Sequence, residues 1–329
     1  MDLQILVPVN HMVWVINSAI DNMKEFVNFY RTKVIYCIVS IIRLLYYGNK
    51  HTILRGDNCK VDLNKGQVTV PITRYRNGVV IPTDDILVVE EPLEIFLDGN
   101  PYYLTMRMPG NEMLLAIGYC FSEGIIDSID DVLLVHYCRE KAGNRIEITL
   151  DPKRRAAKGL EIKAKRLMTY SSCGICGKEI VEDLCTRLRP RDDSVSISAF
   201  QIDEMMGIVE KCQQIFAQTG GAHAAGIFNK DCQLLAFAED VGRHNALDKA
   251  MGRLVFDDKM GEAVVVVVTS RLSYEMVQKT GRSGAQILIG MSSATSLAVE
   301  LAKSINLTLI GFAKKGCGNV YTAAARIAL

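Results

Sequence analysis

The pattern of hydrophobic and polar positions divides the chain into two parts with different periods. Within residues 61–164, the stretches "QVTVPITRYR" and "ILVVEEPLEIFLD" are rich in β-branched residues and end at turn residues, which predicts strands. Two further strands are predicted over residues 132–136 and 145–150. Residues 111–123 interrupt this run with a helical period, and Asn111 is a candidate N-cap. We therefore expect a β-rich N-terminal lobe.

After Cys176 the period alternates between helix and strand. Apolar strands such as "AVVVVVTS", "QILIGM" and "LTLIGFA" are separated by segments with helical spacing. Near-continuous apolar strands are typical of a sheet that is covered on both faces. The remaining predicted elements are helices over residues 179–188, 202–218, 245–254, 274–280 and 294–305, and a hairpin of residues 222–228 and 233–238. The predicted fold class is α/β, a mixed sheet with helices on both faces and a β-rich N-terminal lobe.

Composition narrows the class of protein. The chain has 329 residues, enough for roughly two domains. Its net charge is +1, which argues against a broad surface for nucleic acid, so we expect no nucleic-acid partner. Ten cysteines are scattered without a regular framework, and we recognise no secretory signal near Met1. We expect reduced cysteines and a cytoplasmic location.

The N-terminal segment carries no chemical motif. Its apolar stretch "VIYCIVSIIRLLYY", residues 34–47, is 14 residues long and contains Arg43, whereas a membrane span needs about 20 residues. We expect a helix that packs on the body or on a partner. A membrane-surface segment and a region outside the functional unit are the alternatives. The predicted domains are an N-terminal extension of unknown role (1–58), a β-rich lobe (59–166) and an α/β domain with the cysteine loop (167–329).

The segment "YSSCGICGKE" places Cys173 and Cys176 two residues apart, before a predicted helix. A structural zinc site would need two more ligands at close spacing, but the chain has no second pair and its five histidines are dispersed. A thioredoxin-like redox pair would lie near a βαβ pattern, whereas this pair follows a basic linker (residues 153–166) in mid-chain and has no thioredoxin-like context. Two inert, buried cysteines are a third reading, and a reactive thiol is the fourth.

The surroundings of the pair favour the reactive thiol, although the other readings stay open. Gly174 and Gly177 permit unusual backbone conformations and leave both sulfur atoms accessible. A helix N-terminus favours the thiolate, and Lys178 adds positive charge nearby. Such a thiolate can accept sulfane sulfur from a donor persulfide and pass it on.

A second polar group follows a predicted strand, in "EDVGRHN". The structural interpretation is an N-cap network around Asp240. The functional interpretation places Arg243 and His244 in a cleft at the carboxyl ends of strands, where open α/β sheets bind ligands. His223, in "GGAHAAG", could face the same cleft, or it could be a satisfied core histidine.

A third polar group, "FAKKGCGN", follows the last long apolar strand. Its two lysines and its glycine backbone could bind phosphates, and "SSATS" (residues 292–296) at a predicted helix start could bind a second anion. Each segment alone is also compatible with a solvated loop. Together they suggest a phosphate-bearing ligand across the strand ends.

These segments together resemble the FdhD family, the formate dehydrogenase accessory sulfurtransferases. The resemblance covers residues 60–325 and rests on "MRMPGNEMLLAIGYCFSEGII", "SSCGICGK", "EDVGRHNALDKA", "SYEMVQKTGRSGAQIL", "SSATSLAVELAKSINLTLIGFAKKG" and "NVYT". It implies a cytidine deaminase-like fold without zinc chemistry. It also implies transfer of sulfur from a cysteine desulfurase to the molybdenum or tungsten bis(molybdopterin guanine dinucleotide) cofactor of formate dehydrogenase. That cofactor would be a bound substrate, with no permanently bound metal.

The resemblance also assigns residues. Cys173 would form the persulfide, and Cys176 would be its companion. The matching cofactor-binding segment consists of Phe312, Ala313, Lys314, Lys315, Gly316 and Cys317. The family often has arginine where Cys317 stands, which puts one phosphate contact in doubt. The alternative function is a non-catalytic chaperone that binds the cofactor and escorts it. The oligomeric state, including a homodimer, stays open.

Overall fold

The computed structural model describes residues 3–6, 66–140, 143–158, 188, 190–192 and 194–328. Three parts of the sequence-based predictions therefore lie outside the described residues. These are the cysteine pair Cys173 and Cys176, the apolar stretch 34–47, and the helix predicted over residues 179–188 apart from its last residue.

The first half of the chain is mainly strand, as predicted. Its elements are β1 (Leu3–Leu6), β2 (Gln67–Arg76), β3 (Val79–Val88), β4 (Glu91–Leu97), β5 (Asn100–Arg107), α1 (Glu112–Ser122), β6 (Val132–Glu140), β7 (Gly143–Leu150) and α2 (Pro152–Lys158). Strands β2 and β3 form a separate hairpin, and the others form a sheet in the order β1-β6-β7-β4-β5. Alternate residues of β4 and β7 are buried against α1, so one face of this sheet carries a core.

Two details of this lobe differ from the predictions. Asn111 precedes α1 but makes no side-chain capping bond, because its backbone is left-handed (φ 59°) instead of extended. Strand β1 lies in the N-terminal extension and pairs antiparallel with β6, from Leu3 opposite Cys138 to Leu6 opposite Val135. The extension therefore contributes an edge strand to the lobe.

The second half alternates helix and strand. Its elements are β8 (Ile197–Ser198), α3 (Ala199–Cys212), α4 (Gln214–Thr219), β9 (His223–Phe228), β10 (Leu234–Asp240), α5 (Arg243–Phe256), β11 (Val265–Val268), α6 (Tyr274–Ser283), β12 (Ile287–Gly290), α7 (Ser296–Ser304), β13 (Thr308–Lys314), β14 (Cys317–Thr322) and β15 (Ile327–Ala328). The main sheet has the order β10-β9-β11-β12-β13-β14. The helix predicted over residues 202–218 is divided into α3 and α4 at Gln213.

Helices cover both faces of the main sheet, as the continuous apolar strands predicted. In β11, Val266 and Val268 pack toward α5, α6 and α7, whereas Val265 and Val267 pack toward α3. Strands β11, β12 and β13 are parallel, and β9 and β14 run antiparallel to their neighbours. The mixed sheet is confirmed, and the likeness to cytidine deaminases stays a prediction.

Helix α1 of the first half and helix α5 of the second half cross at Gly118 and Gly252. We call this contact the glycine crossing. A Cβ atom on Gly118 would lie 1.8 Å from the Asp248 carbonyl oxygen, and one on Gly252 would lie 1.9 Å from the Leu114 carbonyl oxygen. Any larger side chain at either position would collide with backbone, so the two helices touch main chain to main chain. This contact brings the β-rich lobe against the start of the second half.

Cys120, Cys232 and Cys317 are free thiols, as expected. Cys212, at the end of α3, is disulfide-bonded, so the expectation that all cysteines are reduced is wrong there. Spacing along the chain does not show which sulfur atoms the fold brings within bonding distance. Within the described residues, no helix is both long and apolar enough to span a membrane.

Candidate functional site

One edge of the main sheet gathers the ends of several strands. Asp240, the last residue of β10, lies opposite His223, the first residue of β9. Because β9 is antiparallel to β11, His223 also lies at the edge where β11 ends. Strands β12 and β13 run parallel to β11 and end at the same edge. We call this row of strand ends the ligand edge.

Backbone hydrogen bonds hold the loops of the ligand edge side by side. The Thr269 hydroxyl accepts a bond from the Ala224 amide at 3.0 Å. The Leu272 amide donates to the Ser293 carbonyl at 2.9 Å, and the Phe312 amide donates to the Ser292 carbonyl at 2.9 Å. The loops after β11, β12 and β13 therefore form a continuous surface next to His223.

The segment "EDVGRHN" has a structural role and a candidate role in ligand binding. Its acidic residues form the structural hydrogen bonds. Asp240 is fully buried, and its Oδ1 accepts bonds from the Gly242 amide at 2.9 Å and the Asn245 side chain at 3.0 Å. A network around Asp240 is therefore present, but the predicted N-cap is wrong, because Gly242 is the N-cap of α5 and no side chain of the described residues caps this helix. Glu239 accepts bonds from the amides of Ile215 and Phe216 at the start of α4, and burial raises its pKa.

The same network fixes the β-rich lobe to the site. Lys249 Nζ lies 2.7 Å from Asp240 Oδ2 and donates to the Met108 carbonyl at 2.9 Å. The Met108 amide donates to Asp240 Oδ2 at 3.1 Å, and Asn245 donates to the Met106 carbonyl at 2.8 Å. One buried carboxylate thus binds both the loop before α5 and the chain that leaves β5.

Arg243 and His244, the first two residues of α5, carry the functional role. Both are partly buried, and the Nε atom of Arg243 is buried without a hydrogen-bond partner in the described part of the chain. His244 Nε2 lies 2.5 Å from Glu275 Oε2, at the start of α6. Arg271, in the loop between β11 and α6, is exposed. The start of α5 and the loop before α6 therefore present the cations Arg243 and Arg271 at the ligand edge.

The electrostatics of these side chains show that they are neighbours. Burial lowers the pKa of His223, and the positive charges of Arg243 and His244 lower it further. Burial and the Arg271 charge lower the pKa of Arg243, while Glu275 opposes this change. The hydrogen bond from His244 lowers the pKa of Glu275, against the effect of its burial. The predicted grouping of His223, Arg243 and His244 is therefore present.

The segment from Phe312 to Cys317 forms the tip of the hairpin of β13 and β14. Phe312, Lys314, Lys315 and Cys317 are exposed, and Phe312 has a left-handed backbone (φ 52°). The Ala313 side chain is buried in the core on the α3 side of the sheet, so it does not face a ligand. The Gly316 amide donates to both carboxylate oxygens of Asp203, at 3.1 and 2.9 Å.

These contacts correct the expectation of free amides in this segment. The Gly316 N–H is already bound by a carboxylate, because the fold places α3 beneath the hairpin tip. Thr295 likewise uses its hydroxyl to cap the Ala298 amide of α7 at 3.3 Å. The exposed lysines 314 and 315 are the groups of the segment that stay available to an anion.

The Arg243 group and the hairpin lie apart along the ligand edge. The strand order β9-β11-β12-β13 separates them by three strand spacings of about 4.8 Å, or about 14 Å in total. The structure therefore does not gather all predicted binding residues at one point. It spreads them along one edge, over a length comparable to that of a nucleotide.

Two residues of this site were missed by the sequence analysis, Arg271 and Glu275. Arg271 lies three positions after an apolar strand. Arg243 also lies just after a strand, and that position identified it as a candidate, so the same signal could have found Arg271. Glu275 carried no such signal, because its role depends on His244 in another helix. Within the described residues, no three His, Cys, Asp or Glu side chains cluster as a metal site would require.

Comparison with known proteins places this arrangement in a family. The model of the FdhD/NarQ family matches residues 88–328. The chain is 37% identical to the sulfur carrier protein FdhD of Mycolicibacterium paratuberculosis over 269 residues, covering 78% of this chain and 97% of that protein. It is 36% identical to the sulfur carrier protein FdhD of Sulfurisphaera tokodaii over 266 residues, covering 78% of this chain and 98% of that protein.

A solved structure has the same fold. A Desulfotalea psychrophila protein assigned as a formate dehydrogenase accessory protein superposes with a TM-score of 0.64 at 24% identity, covering 80% of this chain and 99% of that one. The family match includes both the cysteine loop and the whole ligand edge. The chain therefore belongs to the FdhD/NarQ family.

Proposed function

We propose that the chain is a sulfurtransferase that carries sulfur as a cysteine persulfide to the guanine dinucleotide form of the molybdenum cofactor of formate dehydrogenase. The family match supports the sulfur-carrier part, since its curated members are named sulfur carrier proteins. The observation that carries the substrate part is the group of cations at the ligand edge. A near-neutral chain that concentrates Arg243 and Arg271 there is suited to an anionic substrate.

The first step is sulfur loading. The Cys173 thiolate attacks the terminal sulfur of a persulfide on a cysteine desulfurase. The donor's sulfur–sulfur bond breaks, a new one forms on Cys173, and the donor leaves as a thiolate that takes up a proton. The exchange involves no net oxidation or reduction. Cys176 is the companion that helps to expel the sulfur in the next step.

The second step delivers the sulfur to the bound substrate. The sulfur–sulfur bond on Cys173 breaks, Cys173 leaves as a thiolate, and the reduced metal of the substrate supplies the electron pair that converts the sulfur into a sulfido ligand. The role of the ligand edge is to bind the phosphates and so to hold the metal within reach. Binding is a positioning task, and orientation of this kind contributes strongly to group transfer.

Peptide mass mapping tests the loading step. The protein is incubated with a cysteine desulfurase and cysteine, and added sulfur is located on each cysteine peptide. We expect sulfur on Cys173, none after Cys173→Ala, and a retained but poorly transferred sulfur after Cys176→Ala. Cys317 is the matched control, because it is an exposed free thiol outside the pair. Sulfur on Cys317 alone, or loading that survives Cys173→Ala undiminished, would contradict the proposal.

The same variants separate this function from the alternative, a chaperone that binds the cofactor without chemistry. A chaperone would still activate formate dehydrogenase after Cys173→Ala, whereas a sulfurtransferase would not. Stoichiometric zinc in the purified protein would contradict both the sulfurtransferase role and the resemblance on which it depends.

A further inference from the structure

We propose that Arg243 and Arg271 form a subsite for the diphosphate group of a nucleotide, at the end of the ligand edge far from the β13–β14 hairpin. The inference deepens the proposed function and rests on it only for the identity of the natural substrate. The hairpin segment was expected to bind phosphate from the resemblance, but Arg271 was assigned no role by it. The subsite therefore adds a second anchoring point.

The geometry supports two convergent guanidinium groups. Arg243 begins α5, Arg271 lies three residues before Tyr274, where α6 begins, and both helices begin at the ligand edge. The loop of Arg271 is fixed on both sides, since Thr269 bonds with Ala224 and Leu272 bonds with Ser293. These hydrogen bonds on either side therefore determine the position of the Arg271 backbone. The buried Nε of Arg243, which has no hydrogen-bond partner among the described residues, adds an unused donor.

Among the residues that the structure describes, positive charge exceeds negative charge at this point. Arg243 interacts with the positive charge of Arg271, and among the described residues the carboxylate that opposes this interaction is Glu275, which lies against His244. Like charges that the backbone holds together repel one another, and an anion between them removes that repulsion. A diphosphate fits because guanidinium groups bind phosphate oxygens in pairs, in a planar geometry that a lysine cannot provide.

Calorimetry with three probes tests the subsite. Inorganic pyrophosphate, GDP and guanosine are titrated into the full-length protein and into Arg271→Gln. We expect the variant to lose between about tenfold and about a hundredfold in affinity for pyrophosphate and GDP, because each charged hydrogen bond is worth about 1.5–3 kcal/mol. Its affinity for guanosine, which has no charge, should stay within about twofold of the parent.

Arg253→Gln is the matched control. It removes one positive charge from the same helix, but ten residues further along, about 15 Å from Arg243, where Arg253 binds Asp257. We expect no change in pyrophosphate affinity beyond about twofold. Arg271→Lys restores the charge without the planar fork and should recover only part of the affinity. Arg271 is exposed, so Arg271→Gln should fold even where Arg243→Gln does not.

Several outcomes would overturn the subsite. These are an absence of pyrophosphate binding to the parent protein, equal losses in Arg271→Gln and Arg253→Gln, or an equal loss for guanosine and GDP. The sulfurtransferase proposal is tested separately, because sulfur loading of Cys173 requires no nucleotide. If loading fails while Arg271→Gln still weakens pyrophosphate binding, the diphosphate subsite stands and the proposed chemistry falls.

Discussion

Asp248 and Lys279 meet in the buried space between α5 and α6, where Lys279 Nζ lies 2.8 Å from both carboxylate oxygens of Asp248. His244 and Glu275 meet four residues earlier on the same two helices. The two pairs have opposite polarity, so a shift of one helix by a turn would bring like charges together. The pairs therefore fix the relative position of the helices whose starts form the diphosphate subsite.

We expect Lys279→Met to destabilise the protein by about 3–5 kcal/mol, because it leaves the buried Asp248 carboxylate without its cation. Burial is the largest single influence on the pKa of Lys279 and lowers it, but the charges of Asp248 and Glu123 and the hydrogen bond to Asp248 together raise the pKa above its ordinary value. This stabilisation should therefore be complete at neutral pH and should be lost only as the pH rises through the raised pKa. Urea unfolding measures the change.

The double variant Asp248→Leu, Lys279→Met should recover most of the loss, and a double variant as unstable as the single one would contradict this account.

The glycine crossing predicts opposite effects at two helical glycines. Gly118→Ala should destabilise the protein by about 1–3 kcal/mol or more, because its Cβ atom would overlap the Asp248 carbonyl of α5. Gly207→Ala, in α3, has no atom within 4 Å of its Cβ position and should stabilise the helix by up to about 1 kcal/mol. Thermal unfolding of both variants provides the comparison. Equal effects of the two substitutions would show that α1 and α5 do not touch as described.

His223 should make the stability of the protein depend on acid pH. Its pKa is lowered in the folded state, so the unfolded chain binds the proton more readily below the ordinary histidine pKa of about 6.5. Stability should therefore fall as the pH drops through that value, and His223→Gln should remove this contribution. The measurement is the difference in unfolding free energy between parent and variant from pH 8 to pH 5. A difference that is constant over this range would count against a neutral His223.

Lys314 and Lys315 should contribute to GDP binding from the hairpin side. Replacing both with Ala should weaken binding by roughly 1–3 kcal/mol for each charge-assisted bond lost. Added salt should also weaken binding, since exposed charges are screened over about 8 Å. Lys230→Ala is the control, because this exposed lysine lies in the turn between β9 and β10, at the opposite edge of the sheet. Calorimetry that shows unchanged affinity in the double variant would remove the hairpin from the site.

A chain that begins at Asn58 should still fold and accept sulfur. It loses β1, but the five-stranded sheet keeps its other four strands and the core against α1. We expect some self-association, because β6 then becomes an exposed edge strand. Circular dichroism, gel filtration and sulfur loading check these outcomes. A shortened chain that does not fold would show that the extension is part of the body.

The hydrophobic pattern predicted most of the second half because strands buried on both faces must be apolar throughout. It also drew attention to Arg243, whose position after a strand identifies the ligand edge. It could not predict that Ala313 turns into the core or that Asp203 occupies the Gly316 amide, since both depend on where α3 packs. Glu275 was missed for the same reason, because an ion pair between helices leaves no periodic signal.

The hydrogen bonds of Asp240 determine how a substrate can enter. Separating the β-rich lobe from the start of α5 would strip the Met108 amide from this buried carboxylate and expose its pair with Lys249. The separation would break both Met108 bonds but not the Asp240–Lys249 pair, whose two members lie in the second half, and each buried polar group left without its partner costs about 1–3 kcal/mol. These bonds therefore oppose opening between the halves. Entry and release of a substrate along the loops of the ligand edge would leave them intact.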